Sequence, residues 1–179
     1  MGQVNDTIRL LRFVISLFPM ESIFVPGSQA QRLADSIHTS PINMYPEELT
    51  APMVSDLTEV GFTALKTPAQ VDAAFKQSGT VLCVVNSVCG CAAGACRPGV
   101  KGSLKGDKRP DHLTTVFAGV DTDAVMQARQ HFLPYPPSSP AIGLFKDGKL
   151  VHFVERHHIE GRSAEMIAEH LKMVYSEFC

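Results

Sequence analysis

The sequence contains no tryptophan and no Lys/Arg-rich run, and its charged residues make up only 19% of the chain. The average for globular domains is about 25%. Sixteen basic and eighteen acidic residues leave a formal charge of −2. Such a balance provides no global field for nucleic acid or an anionic membrane surface, so neither is expected as a partner. Long apolar runs are missing as well. Only Ile8–Phe18 raises a membrane question, and Arg9 and Arg12 interrupt it well short of the roughly 18 apolar residues that a spanning helix needs. Glycine and proline, 13 and 12 residues, are too few for a disordered or fibrous chain. Cysteine is scarce: five residues, an odd number, are too few for a disulfide-stapled scaffold.

What the chain does have is 179 residues, 45% of them hydrophobic, enough for one domain with one sizeable core. The Ile8–Phe18 segment has a basic start but no small-x-small cleavage site after Pro19. It reads as a short amphipathic helix or an appendage rather than a secretion signal. Residues 20–43 hold Ser, Gln and Pro with no sustained period. The expected organisation is an extension over 1–43 and a folded domain over 44–179. The cysteines are crowded, with Cys89, Cys91 and Cys96 inside eight residues, Cys83 just upstream and Cys179 last. Disulfide frameworks spread their cysteines to close loops. Crowding points instead to redox or metal chemistry in a reducing compartment, here the cytoplasm.

From Met44 onward the patterns sharpen. Leu49, Met53, Leu57 and Val60 form a helical stripe that Pro52 interrupts. Phe62–Leu65 suits a short edge strand. Thr67-Pro68-Ala69-Gln70 combines an N-cap, a first-turn proline and a capping-box glutamine. Thr80–Val85 is continuously β-branched and apolar, the pattern of a strand buried on both faces. Val116–Val120 reads as a second such strand, and Asp121-Thr122-Asp123 as the cap of a helix carrying Val125, Ala128 and Phe132. Asp147-Gly148 between Ala141–Phe145 and Leu150–Val154 is a hairpin signal. A last helix starts near Ser163, with Ile167, Leu171, Val174 and Phe178 as its stripe. This gives β-α-β-α-β-α-β-β-α behind an extra N-terminal helix. The β-α-β part requires parallel pairing with a right-handed crossover, and the hairpin adds antiparallel strands. The expected fold is α/β and thioredoxin-like, a central mixed sheet flanked by helices.

Cys89-Gly90-Cys91 falls where the buried strand ends and a helix begins. Helix N-terminal amides and the macrodipole favour a thiolate there, and the thiolate is the species that attacks a disulfide. Cys91 is placed to capture Cys89 in a small, strained and therefore oxidising ring, for which Gly90 supplies backbone freedom. A metal reading competes: Cys89, Cys91 and Cys96 are soft ligands for Zn²⁺ or Cu(I), but no fourth ligand lies close in sequence and the spacing is not that of a structural zinc site. A phosphate loop over Gly94–Lys101 is rejected, because Val100 displaces the lysine and no Ser/Thr follows it. Cys83, inside the apolar strand, reads as packing, and Cys179 as a bystander. Cys96 lies about 10 Å up a regular helix from Cys89, beyond disulfide reach unless the helix breaks at Gly94 or Pro98.

The block Val85-Asn86-Ser87-Val88-Cys89-Gly90-Cys91-Ala92-Ala93-Gly94, followed by Arg97-Pro98, resembles the bacilliredoxin family. Pro137-Ser138-Ser139-Pro140, Phe145-Lys146-Asp147-Gly148 and Arg156-His157-His158-Ile159-Glu160-Gly161-Arg162 match its later blocks. The resemblance runs from about Met44 to the C-terminus, and Met44 is a natural start for such a protein. It implies a thiol–disulfide oxidoreductase that removes bacillithiol, a low-molecular-weight thiol and here a co-substrate, from protein cysteines. The partners would be S-thiolated proteins and the small thiol, with no bound cofactor and no metal. Cys89 would be the nucleophile and Cys91 the resolving cysteine. Pro140 is the residue expected to be cis beside Cys89 and to shape a substrate groove. Asn86 is placed to tune the thiolate or to cap the strand end. Arg97 is placed to favour the thiolate, to bind carboxylates of a small thiol, or to stand as a solvated helix charge. His157-His158, read at a strand end, would point oppositely and make structural hydrogen bonds. Cys96 departs from the family pattern.

Overall fold

Thr80–Asn86 (β2) is buried at all seven positions and occupies the middle of the sheet. The computed structural model describes residues 44–179, so the expectations for 1–43 lie outside it. Five strands run in the order β1-β3-β2-β4-β5. Thr63–Ala64 (β1) and His112–Phe117 (β3) pair parallel, as do β3 and β2; Ala141–Lys146 (β4) and Lys149–Val154 (β5) complete the sheet antiparallel. That order and those senses are the thioredoxin-like arrangement expected from the sequence.

The pleat of β2 explains why it is apolar throughout. Leu82 and Val84 face a core with Val100, Ile167, Leu171 and Tyr175. Val81, Cys83 and Val85 face the opposite core with Val71, Phe75, Val125 and Phe132. The first core lies under Arg97–Ser103 (α3) and Ala164–Phe178 (α6), and the second under Pro68–Phe75 (α2) and Thr122–His131 (α4). Glu47–Thr58 (α1) precedes the sheet, and the single turn Arg156–Ile159 (α5) follows β5.

Local signals correspond well to local structure. Thr67 and Gln70 form the capping box at the start of α2, and Ser163 accepts from the Met166 N–H at the start of α6. Asp147 (φ 49°) and Gly148 (φ 78°) both take the left-handed conformation that a two-residue hairpin turn requires. Three readings are corrected. The strand expected at Val116–Val120 is β3, His112–Phe117, and it ends before Gly119 (φ 87°) turns the chain. Polar Thr114 and Thr115 belong inside it because their hydroxyls donate to the Leu82 and Val84 carbonyls, both at 2.9 Å. The α1 stripe is only partly buried: Leu57 is fully enclosed, but Leu49 is 48% exposed. Pro52 sits within α1, where the carbonyl it fails to bond belongs to exposed Glu48. Asp121 occupies the N-cap of α4, yet its carboxylate accepts from the Phe117 N–H (3.3 Å) instead of capping the helix.

Candidate active site

The site grows from the C-terminal end of β2. Asn86 is buried there, and each of its amide atoms is used. Its Oδ1 accepts from the Ser87 N–H (2.9 Å) and Arg97 Nη1 (3.2 Å), and its Nδ2 donates to the Met53 carbonyl (2.9 Å). Arg97 is 5% exposed. It donates again from Nη1 to the Ser87 carbonyl (3.1 Å) and from Nε to Asp56 Oδ2 (3.0 Å). These two side chains therefore clamp the loop that presents Cys89 and tie it to α1. The expectation of Arg97 as a solvated helix charge is corrected, because it is buried and its Nε and Nη1 donate inside the fold.

Helical structure is continuous over residues 90–103. A π-helical segment, Ala92–Cys96, lies within it, and α3 follows. The Cys89 carbonyl accepts from the Ala92 and Ala93 amides at 3.1 and 3.2 Å, so Cys89 stands at the helix start, as its sequence position implied. Gly90 lies between the two cysteines with nothing within 4 Å of where a Cβ would be. The helix does not break at Gly94 or Pro98, and Cys96 points into the core at 1% exposure. Burial pushes its thiol up to about 12, and that of Cys83 likewise. Both are chemically quiet at neutral pH. Among the described residues, the sulfurs of Cys89, Cys91 and Cys96 do not gather within 4.8 Å of one another.

Cys89 and Cys91 differ sharply from those two. Their sulfurs are 2.7 Å apart, and all five cysteines are thiols. Burial pushes the Cys89 thiol up. Three hydrogen bonds overcome that push, from Cys91, from the Ser87 hydroxyl (3.3 Å) and from the Ala92 amide (3.4 Å), and the Arg156 charge adds to them. The result is a thiol below its ordinary value. Cys91 is held above its ordinary value by burial and by giving its hydrogen bond, and the adjacent Cys89 charge adds to this. Of the pair, then, Cys89 is the more readily deprotonated and Cys91 keeps its proton longer.

The segment leading into β4 also reaches the site, through Ser139 rather than Pro140. Val85 pairs with Ala141, so Pro140 lies one register step further, level with Asn86. Pro140 is buried, and the Ser139–Pro140 bond is cis. Ser139 shares a cleft with Cys89. Sequence reasoning overlooked Ser87, Arg129 and Arg156, which also line this cleft. The only signals available for them were that Ser87 lies two residues before Cys89 and that Arg156 opens the Arg-His-His block. His157 and His158 do not point apart on a strand. They ride on α5 with ring centroids 3.8 Å apart, and the His158 Nδ1 accepts from the Glu155 N–H (3.3 Å).

Residues 45–179 match a family model described as Disulphide isomerase. A bacilliredoxin of Cytophaga hutchinsonii is 67% identical over 134 residues, covering 75% of this chain and 99% of its own. One from Bacillus cereus strain ZK / E33L is 47% identical over 137 residues, covering 76% and 95%. One from Halalkalibacterium halodurans is 48% identical over 136 residues, covering 75% and 94%. Among solved structures, oxidized mitochondrial thioredoxin 3 of Saccharomyces cerevisiae aligns with a TM-score of 0.47 at 16% identity, over 69% of this chain and 99% of that one. With a match this extensive in sequence and a thioredoxin-like strand order, the chain belongs to the bacilliredoxin family and is a thiol–disulfide oxidoreductase.

Proposed function

We propose that the protein removes bacillithiol from S-thiolated cysteines of other proteins, with Cys89 as nucleophile and Cys91 as resolving cysteine. The observation that carries this reading is the unequal pair: two sulfurs 2.7 Å apart at a helix start, one thiol lowered and the other raised. In the first step the Cys89 thiolate attacks the bacillithiol sulfur of the mixed disulfide. A Cys89–bacillithiol disulfide forms, and the bond to the substrate protein breaks. The substrate cysteine leaves as a thiolate and takes a proton from water. In the second step Cys91 loses its proton and attacks the Cys89 sulfur, forming a Cys89–Cys91 disulfide while bacillithiol departs as its thiolate; in the other route a second small thiol attacks the bacillithiol sulfur, forming a small-thiol disulfide and returning Cys89 as its thiolate. The Ser87 hydroxyl and the Ala92 amide hold the Cys89 sulfur before attack. No cofactor enters the scheme, and the setting is the cytoplasm, where small thiols keep the enzyme reduced.

The names of the relatives support bacillithiol as the small thiol. The description of the matching family supports a second reading, general protein disulfide exchange without thiol preference. Mass spectrometry of the protein incubated with a bacillithiol-modified substrate tests the thiol transfer itself, and its rate against the same substrate carrying a different small thiol separates the two readings. De-bacillithiolation predicts a bacillithiol adduct on Cys89 and none in Cys89→Ala. Release of the substrate with undiminished rate by Cys89→Ala refutes the assignment.

A further inference from the structure

Cys89 opens into a cleft of about 380 Å³. Among the described residues, the charged side chains lining that cleft are Arg129 and Arg156, and no carboxylate lines it. Arg156 is already engaged. It donates from Nη1 to the Ser139 carbonyl (3.3 Å) and from Nη2 to Glu160 (3.1 Å), which fixes its guanidinium beside the cysteines. Arg129, in the last turn of α4, has no ion-pair partner among the described residues, and its Nε is buried with no hydrogen-bond partner. Arg129 as a whole is only half-buried, so an anion entering the cleft meets the outer edge of its guanidinium rather than the enclosed Nε. A planar guanidinium fork suits a carboxylate in particular.

We infer that Arg129, assisted by Arg156, holds a carboxylate of the small thiol while Cys89 exchanges with its sulfur. Arg129 is thus the specificity-determining residue for an acidic low-molecular-weight thiol. The inference rests on the thiol-transfer reading above and adds a preference to it. Three groups compose the subsite: the Cys89 sulfur, which takes the thiol; the Arg156 charge, which faces both cysteines; and the Arg129 fork, which reads the anionic end.

The test uses the full chain and one reporter peptide in mixed disulfide with mercaptopropionate (anionic), mercaptoethanol (neutral) or cysteamine (cationic). Transfer to Cys89 is timed by mass spectrometry, and each rate is divided by that of the same disulfide with a free small thiol. The wild-type protein is expected to take the anionic thiol about 10-fold faster than the neutral one, the range of a charge-assisted hydrogen bond, and the cationic one slowest. Arg129→Gln is expected to bring the anionic-to-neutral ratio close to one, while Arg129→Lys keeps part of it. Raising the salt concentration on the wild-type protein lowers the ratio without any substitution. A wild-type ratio near one, or a preference that survives Arg129→Gln, overturns the inference and leaves thiol transfer standing. Failure of Cys89 to accept any of the three thiols overturns both.

Discussion

Cys89 and Cys91 are the same residue type two positions apart, yet their surroundings drive them in opposite directions. Cys89 receives hydrogen bonds from a hydroxyl, an amide and its neighbouring thiol, whereas Cys91 gives one. The lowered thiol keeps more of its population as thiolate than a cysteine at its ordinary value does at the same pH. In the native protein, iodoacetamide is therefore expected to label Cys89 first, with a pH midpoint below that ordinary value, and Cys91 only later. Cys83 and Cys96 stay unlabelled until the protein unfolds, since both thiols are buried and raised to about 12. Peptide mapping across a pH series checks this order, and earlier labelling of Cys91 contradicts it. The pair was legible in the sequence because a strand end followed by a helix start is a local pattern. Ser87, Arg129 and Arg156 were not, because their importance arises only when β2, α4 and α5 meet at one cleft. Arg97 was misread for the same reason: nothing local reveals that Asp56, Asn86 and the Ser87 carbonyl surround it.

At the scale of elements, the helix that begins beside the cysteines is tied to the core by an unusually close contact with α6. A Cβ added at Gly99 would lie 2.7 Å from the Ile167 Cβ and 2.9 Å from the Ala164 carbonyl oxygen. Gly99→Ala is therefore expected to force α3 and α6 apart and to destabilise the fold by about 1–3 kcal/mol, the usual cost of overpacking. Urea denaturation measures it, and a variant as stable as the parent shows that the two helices separate freely. The capping box of α2, the cap of α6 and the hairpin turn were readable because each is written in a few adjacent residues. The limits of β3 were not. Its threonines resemble loop residues until β2 offers their hydroxyls two carbonyls, and that pairing is a property of the sheet. The π-helical turn at Ala92–Cys96 gave no signal either, since Gly94 and Pro98 looked more like a break than a continuous helix.

For the molecule as a whole, a central strand apolar on both faces was the strongest clue to architecture, because only a sheet covered on both sides accommodates it. The same strand sets the chemistry. It carries Cys89 out at its end, and its antiparallel partner β4 places the cis Ser139–Pro140 bond level with Asn86. The five cysteines consequently divide by position in the fold: Cys89 lines the cleft with the Cys91 sulfur beside it, two are sealed in the two cores, and half-buried Cys179 follows α6. The central claim is that one sulfur accepts the small thiol and the other removes it. Cys91→Ala incubated with a bacillithiol-modified substrate tests it most directly, because removing the second sulfur should leave the transferred thiol in place. Peptide mass mapping is predicted to find one bacillithiol per chain, on Cys89, and a substrate freed of it. A substrate that remains modified, or an adduct found on Cys96 or Cys179 with Cys89 free, would contradict the account.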